Sequence, residues 1–209
     1  MALRLLPFRQ YDDHDVVNMY ALADASVNDS VTGVGGGDAG VFVKVSAGNF
    51  DLDPVSYASD SYLGKTDYPH IGANSYPKVN LKITPAASGD LTNCLGVTLR
   101  QTAKTDENGE KLLYYRQKAE ELMCVLPGQA VPVATRGVFT LGPAAIDGTL
   151  TVGDAFKLSA NAGKVTGCAH NDDGKLGLVL GTGTRSPLTS TANLNDQFSG
   201  TFAVVGLRM

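Results

Sequence analysis

Two pairs of neighbouring aspartates are the residues best suited by type to acid and base chemistry. Asp51 and Asp53 stand two positions apart, whereas Asp172 and Asp173 are adjacent. Side chains two apart on a strand share a face and adjacent ones point oppositely, so only the first pair has useful geometry for hydrolysing a cell-surface polymer. Both pairs lie beside proline or glycine turns, where acidic residues are common. A hydrolase therefore stays an alternative without being the favoured interpretation.

Acidic residues and histidines could also bind a divalent ion at two places. The candidates are Asp12, Asp13, His14 and Asp15 in YDDHD, and His170, Asp172 and Asp173 in HNDDG. The second run resembles part of a calcium loop, but it lacks the glutamate that closes an EF-hand. A polar amino-terminal segment and a hairpin turn explain the two runs without an ion. The sequence therefore predicts no metal site.

The glycines Gly35, Gly37 and Gly40 match the spacing GxGxxG. A dinucleotide site requires a strand before this motif and a helix after it, because the helix amino terminus faces the pyrophosphate. Here a strand follows, so the run is interpreted as a turn. The histidines lie in three separate segments, and no GxxxxGK[ST], HExxH or GxSxG motif occurs. We therefore expect no catalytic residues, no cofactor and no enzyme activity.

The three cysteines, Cys94, Cys124 and Cys168, are an odd number without CxxC spacing. That pattern argues against a disulfide framework and against a zinc site. Small buried thiols in a reducing cytoplasm are the expected state.

Charge and hydropathy exclude two classes of partner. Seventeen Lys and Arg against 21 Asp and Glu give a net charge of -4, and no basic run could neutralise a row of phosphates. We expect no direct contact with nucleic acid. No apolar run approaches the length of a membrane helix, and the amino terminus lacks the pattern of an export signal, so no membrane partner is expected.

The segment VPVATRGVFTL, residues 131–141, alternates like a β-strand but carries Arg136 and Gly137 in its middle. The alternation places Arg136 on the face opposite to the valines and Phe139. We interpret Gly137 as relaxing or bulging the strand and Arg136 as pairing with an acidic or main-chain acceptor, either within the chain or across an interface. The alternative, that Arg136 is an ordinary solvated side chain, is favoured equally.

After this segment come further short strands separated by turns. LTVGDAFKLS, VTGCA, LGLVLGTG and FSGTFAVVGLRM read as strands, and residues 161–163 and 172–174 supply turn residues. The last strand becomes apolar on both faces, which predicts a position inside the sheet. The composition, with 24 glycines and no tryptophan, also favours β structure.

The middle and the amino-terminal part are less regular. VNLKI and CLGVTLRQT read as strands, DENG as a turn, and residues 111–122 as a short helix. Residues 1–80 contain one clear strand, VFVKV, and then residues 46–78 with little periodicity, which we interpret as an arm that packs against another chain. The predicted contact residues of this arm are Tyr57, Tyr62, Tyr68 and Tyr76.

Together these patterns predict a mainly β protein. A small antiparallel β-barrel or sandwich is expected in the carboxyl-terminal half, with an extended amino-terminal arm and at most one or two short helices. The expected division is an arm and loop region over residues 1–80 and a β-rich domain over residues 81–209.

The order of the pieces over residues 94–207 resembles the small decoration, or cement, proteins of tailed-phage heads, particularly those of cyanophage-like viruses. The pieces that carry the resemblance are CLGVTLRQT, PGQAVPVATRGVFTL, VGDAFKLSANAGKVTG, LGLVLGTG and the final strand. The resemblance implies a virion structural protein, made in the host cytoplasm and bound to the outer surface of an icosahedral capsid. Its partners would be the major capsid protein and further copies of itself, with a trimer favoured.

A tail or fibre component, or a host-surface binding module, is the alternative from the same virion. It would share the β-rich and turn-rich composition. Fibre proteins commonly carry internal repeats, and this chain has no convincing repeat. The decoration function is therefore the one expected.

Overall fold

The computed structural model describes residues 4–22, 37–46, 79, 81–103, 106, 108, 110, 112, 115–126, 129–186 and 199–208. Thirteen strands and one α-helix lie in this part of the chain. In order they are β1 (Leu5–Gln10), β2 (Val16–Leu22), β3 (Phe42–Ser46), β4 (Lys82–Pro85), β5 (Cys94–Thr98), β6 (Gln101–Thr102), α1 (Arg116–Glu121), β7 (Cys124–Val125), β8 (Ala130–Ala134), β9 (Arg136–Leu141), β10 (Ala155–Leu158), β11 (Val165–Cys168), β12 (Lys175–Arg185) and β13 (Gly200–Arg208). The prediction of a mainly β protein with antiparallel sheets is confirmed.

Six strands form an open antiparallel sheet in the order β1-β9-β13-β12-β10-β11. The last strand, β13, lies between β9 and β12, as its two apolar faces predict. Its residues Ala203, Val205 and Leu207 point into the core, with Val205 opposite Phe139 of β9. The most amino-terminal strand, β1, forms one edge of this sheet.

A second group of strands closes into a barrel in the order β2-β4-β3-β5-β8. All of its pairs are antiparallel except β2 with β4. The barrel strands other than β8 precede residue 100, and the carboxyl-terminal strands supply the open sheet. Strands from both sides of the boundary predicted at residue 80 therefore share each of these two sheets.

The two sheets are joined by one apolar core. Phe42 of the barrel meets Phe156 of the sheet edge to face, with ring centroids 6.3 Å apart, and both side chains are fully buried. Val97 of β5 and Leu141 of β9 belong to the same cluster. A smaller cluster that includes Leu22, Val43, Ile83 and Val133 is formed by residues of the barrel strands and their neighbours. Burial of this continuous apolar surface is the main force that holds barrel and sheet together.

The α-helix of the described residues, α1, is shorter than predicted, covering Arg116–Glu121 rather than residues 111–122. It packs through Ala119 onto a small cluster with Leu112 and Cys124. The predicted turn before it is organised by Asp106, whose carboxylate accepts from the backbone N–H groups of Asn108 and Glu110 at 2.9 and 2.7 Å. Lys118 of the helix forms an ion pair with the same buried carboxylate.

The turn over residues 172–174 differs from the predicted hairpin. It connects β11 to β12, but β10 lies between these two strands in the sheet. Because β11 and β12 both run antiparallel to β10, the connection passes over β10 from one end to the other, and Lys157 of β10 donates to Asp172 at 2.6 Å. Asp172 also accepts from the backbone N–H of Gly174 at 2.9 Å, so this aspartate fixes the crossing. β11 and β12 are thus adjacent in sequence but separated in the sheet by β10, which pairs with both of them.

Hydrogen bonds lower the pKa of several carboxyl groups below the usual 3.8. The affected residues are Asp90, Asp106, Asp147 and Asp172. A lysine ammonium is the main cause for Asp90, Asp106 and Asp172, and the hydroxyl of Ser159 is the main cause for Asp147. Each carboxyl is therefore easier to ionise in the folded chain than in the unfolded chain.

Acid should destabilise the fold through these groups. A carboxyl with a lowered folded pKa contributes its full stability above the unfolded value, here about 4, and loses it as the pH falls through the folded value. We expect the urea midpoint to be level from pH 7 to 5 and to fall below pH 4. Asp172→Asn should flatten that fall, whereas Asp173→Asn, in the same turn, should leave it unchanged. An equal effect of both substitutions would contradict the role assigned to the Lys157–Asp172 pair.

Candidate binding cleft between barrel and sheet

The predicted strand over residues 131–141 changes sheets at Thr135. β8 ends one residue earlier in the barrel, and β9 begins one residue later in the open sheet. The backbone N–H and the hydroxyl of Thr135 both donate to the carbonyl oxygen of Asp15, at 2.9 and 3.0 Å. The interruption in the strand is therefore the crossing point between the two sheets, and it anchors the turn that precedes β2.

Gly137, just after the crossing, has a φ of +136°, a conformation that other residues rarely adopt. A Cβ atom there would lie 2.6 Å from the carbonyl oxygen of Gln10 and 2.9 Å from the Cβ of Tyr11. The missing side chain lets Tyr11 approach β9 and stack on Phe139, with ring centroids 6.1 Å apart and an angle of 18°. β9 keeps its regular register with β13 through Gly137, and Tyr11 occupies the space left by the missing side chain. Relaxation of the strand at Gly137 stays a prediction.

Arg136 lies at the exposed end of β9, opposite Arg208 of β13 in register. Its side chain has an interaction within the chain, and it does not line the cleft described next. An interface role for Arg136 stays a prediction. The predicted contact tyrosines, Tyr57, Tyr62, Tyr68 and Tyr76, lie outside the described residues.

A cleft of about 550 Å³ opens where the barrel, the edge of the open sheet and the end of α1 meet. Its lining comes from distant parts of the chain: Arg9, Tyr11, Asp13, Val16, Asn18, Leu99, Arg100, Met123, Val125, Ala130 and Pro132. The volume is in the range of sites that bind small molecules or short peptide segments. None of the sequence motifs predicted it, although Asp13 belongs to the run YDDHD.

Arg9 is held in a fixed orientation at the cleft. Its Nη1 donates to the carbonyl oxygen of Leu99 at 3.2 Å, and its guanidinium carbon lies 5.9 Å from the centroid of the Tyr11 ring. Tyr11 in turn stacks on the fully buried Phe139. Contacts from the buried Phe139 through Tyr11 therefore position the guanidinium of Arg9. The missing side chain of Gly137 leaves the space that Tyr11 occupies.

The rim carries a second cation and a prominent apolar side chain. Arg100 is 37% exposed and lies 3.7 Å from the Glu120 carboxylate, a weak surface pair. Met123 follows the last turn of α1 with a φ of +51°, and it is 48% exposed. It occupies the position after a helix where glycine is usual, because a side chain there is strained.

Comparison with known proteins gives no relative for this chain. No protein family, curated protein or solved structure matches it.

Among the groups considered for metal or acid–base chemistry, Asp12 and Asp172 have structural roles, whereas Asp51 and Asp53 lie outside the described residues. Asp12 accepts from the backbone N–H of His14 at 2.8 Å and lies 2.7 Å from its ring Nδ1, on an exposed turn. The backbone bond is the main reason that the pKa of Asp12 is lowered. Within the described ranges, no group of three His, Cys, Asp or Glu residues is placed to bind a metal ion.

The cysteines are all free thiols. Burial raises the pKa of Cys94 to about 11, which keeps it protonated and unreactive at neutral pH. Burial also raises the pKa of Cys168, and Cys124 is buried beside α1. Among the described helices, none has the length and apolar character that a membrane crossing requires.

Proposed function

We propose that the protein is a virion structural component that binds the outer surface of an icosahedral phage head and holds neighbouring major capsid protein subunits together. The observation that carries the proposal is the order of the strand and turn pieces from Cys94 to Leu207, which resembles that of phage decoration proteins. Such a protein resists the pressure of packaged DNA by burying complementary surface on two or more subunits at once. It needs no turnover chemistry.

The arrangement of these pieces supports the proposal. Most of them fall on neighbouring strands of one sheet, β9, β13, β12, β10 and β11, so the resemblance follows a contiguous structural unit. Within the described residues, β12 pairs with β10 only over its first residues, Lys175–Leu178. On its other side, β12 pairs with β13 as far as Arg185. Residues 182–185 of β12 are exposed and pair with β13 on one side. Exposed strand edges are ready-made surfaces for association with another chain.

The proposed oligomer, with a trimer favoured, would attach through several copies of the same surface. Multivalent attachment raises avidity by a large factor without any new kind of contact. The net charge of -4 is consistent with a protein that contacts capsid protein rather than the packaged DNA.

Replacing Arg136 tests the interface role predicted from the sequence. We expect Arg136→Ala to weaken attachment to heads that lack this chain by about tenfold, since arginine is enriched among the residues that dominate interfaces. The unfolding midpoint should change little, because the side chain is exposed. Lys175→Ala, which removes an exposed cation at the start of β12, is the matched control. Attachment of Arg136→Ala equal to that of the control would remove Arg136 from the interface.

A further inference from the structure

We propose that the cleft between barrel and sheet binds a peptide segment of the capsid subunit that carries a carboxylate beside an apolar side chain. The identity of the partner rests on the proposed function, whereas the chemistry of the segment follows from the lining of the cleft. The carboxylate would meet Arg9 and Arg100, and the apolar side chain would lie on the floor.

One part of the cleft lining, here called the floor, consists of apolar residues and is already formed. Leu99 and Val125 are buried side chains, and Val16 and Pro132 beside them are partly buried. These residues belong to packed strands and their links, so the floor does not have to be ordered when a segment binds. An apolar side chain of the partner would cover the exposed parts of Val16 and Pro132 and remove them from water.

The charges of the cleft favour a single carboxylate. Two arginines line it against one carboxylate, Asp13, and the exposed Glu120 beside it forms only a weak pair with Arg100 that a carboxylate of the partner would replace. An arginine fork matches the geometry of a carboxylate, and Arg9 is held in place before binding by Leu99 and Tyr11. Nucleic acid is disfavoured, because a phosphate backbone needs a row of cations and Asp13 would repel it.

Met123 is the observation that points to a ligand independently of charge. Its strained conformation places a flexible, exposed, apolar side chain at the rim. Glycine would fit this backbone without strain, so methionine at this position disfavours the fold locally. Methionine adapts its shape to irregular partners and is common at binding surfaces. Strain of this kind is concentrated at functional sites.

The chemistry can be tested on the isolated protein with a displayed library of random heptapeptides. We expect the selected peptides to share an Asp or Glu next to an apolar residue. A synthetic peptide made from the selected sequence should bind the full chain and lose at least about tenfold in affinity when its carboxylate is changed to the amide. Selection of sequences without a carboxylate, or no selection at all, would overturn the proposal.

Variants of the protein make the test specific to the cleft. Arg100→Gln should weaken binding of that peptide by about tenfold, whereas Arg208→Gln, which removes an exposed arginine outside the cleft, should have no effect. Met123→Gly should weaken binding several-fold while its unfolding midpoint stays level or rises. This opposite response separates a binding role from damage to the fold. Unchanged affinity in Met123→Gly and Arg100→Gln would overturn the assignment.

The source of the segment is tested separately on decorated heads. A photo-reactive amino acid at position 123 should cross-link to an acidic segment of the capsid subunit, and the same group at Val152, which is exposed and outside the cleft, should not. Cross-links to another copy of this chain would overturn the assigned source. If the protein does not attach to heads at all, the proposed function fails, and the peptide experiment alone decides the chemistry of the cleft.

Discussion

Gly137→Ala should destabilise the protein by about 3 kcal/mol, because it adds a strained backbone conformation to a steric clash. The φ of +136° disfavours any side chain, and the new Cβ would lie within 3.0 Å of Gln10, Tyr11 and Phe139. Two of these contacts involve the backbone or the start of a side chain, which cannot move without shifting β1. Urea unfolding of the variant measures the loss.

Two other glycines separate the two causes. Gly153 has a φ of +90° with no atom within 4 Å of a built Cβ, and Gly183 has neither the unusual φ nor a neighbour. Gly153→Ala should therefore destabilise by about 1 kcal/mol from backbone strain alone. Gly183→Ala should be close to neutral, within about 0.5 kcal/mol. A loss for Gly137→Ala no larger than that for Gly153→Ala would show that the approach of Tyr11 to β9 is not as tight as described.

Phe139→Ala should cost about 3–5 kcal/mol of stability and also loosen the cleft, whereas Phe156→Ala should cost about the same and leave the cleft intact. Both phenylalanines are fully buried in the same core cluster. Only Phe139 supports Tyr11, and through it the guanidinium of Arg9. We therefore expect the two variants to lose similar stability, while only Phe139→Ala loosens the cleft.

Hydrogen exchange detected by mass spectrometry measures the local effect under conditions in which both variants stay folded. Peptides that cover residues 9–15 should exchange faster in Phe139→Ala than in Phe156→Ala. Equal acceleration in the two variants would mean that the stack of Tyr11 on Phe139 does not position the cleft. Circular dichroism and the urea midpoint provide the check that the two proteins are destabilised to a similar degree.

The alternation of apolar and polar residues predicted which segments form strands better than it predicted which strands pair with each other. The two apolar faces of the last strand correctly predicted its inner position, because burial on both sides leaves its mark in the sequence of that strand alone. The break at Thr135 was not predictable, since the period-two pattern of residues 131–141 continues through it. A change of sheet depends on Asp15, more than a hundred residues earlier, and alternation contains no information about such a contact.

The crossing turn and the cleft were not predictable for the same reason, because both depend on contacts between residues that are far apart in the sequence. The run HNDDG has the residues of a hairpin, but the turn passes over β10, whose Lys157 donates to Asp172. The cleft gathers residues from β1, β2, β7, β8 and the links around them. Arg9 and Tyr11 lie in a region with little recognisable pattern, and nothing in the sequence indicated that Tyr11 approaches β9. Long-range assembly, rather than any motif, creates this site.

The copy number of the protein in purified intact virions decides whether it covers a phage head as proposed. Quantitative mass spectrometry can compare its amount with that of the major capsid protein in the same particles. A shell-covering cement should be present in an amount comparable to the major capsid protein. A few copies per particle would point instead to the tail or fibre, and absence from the virion would contradict the proposed function.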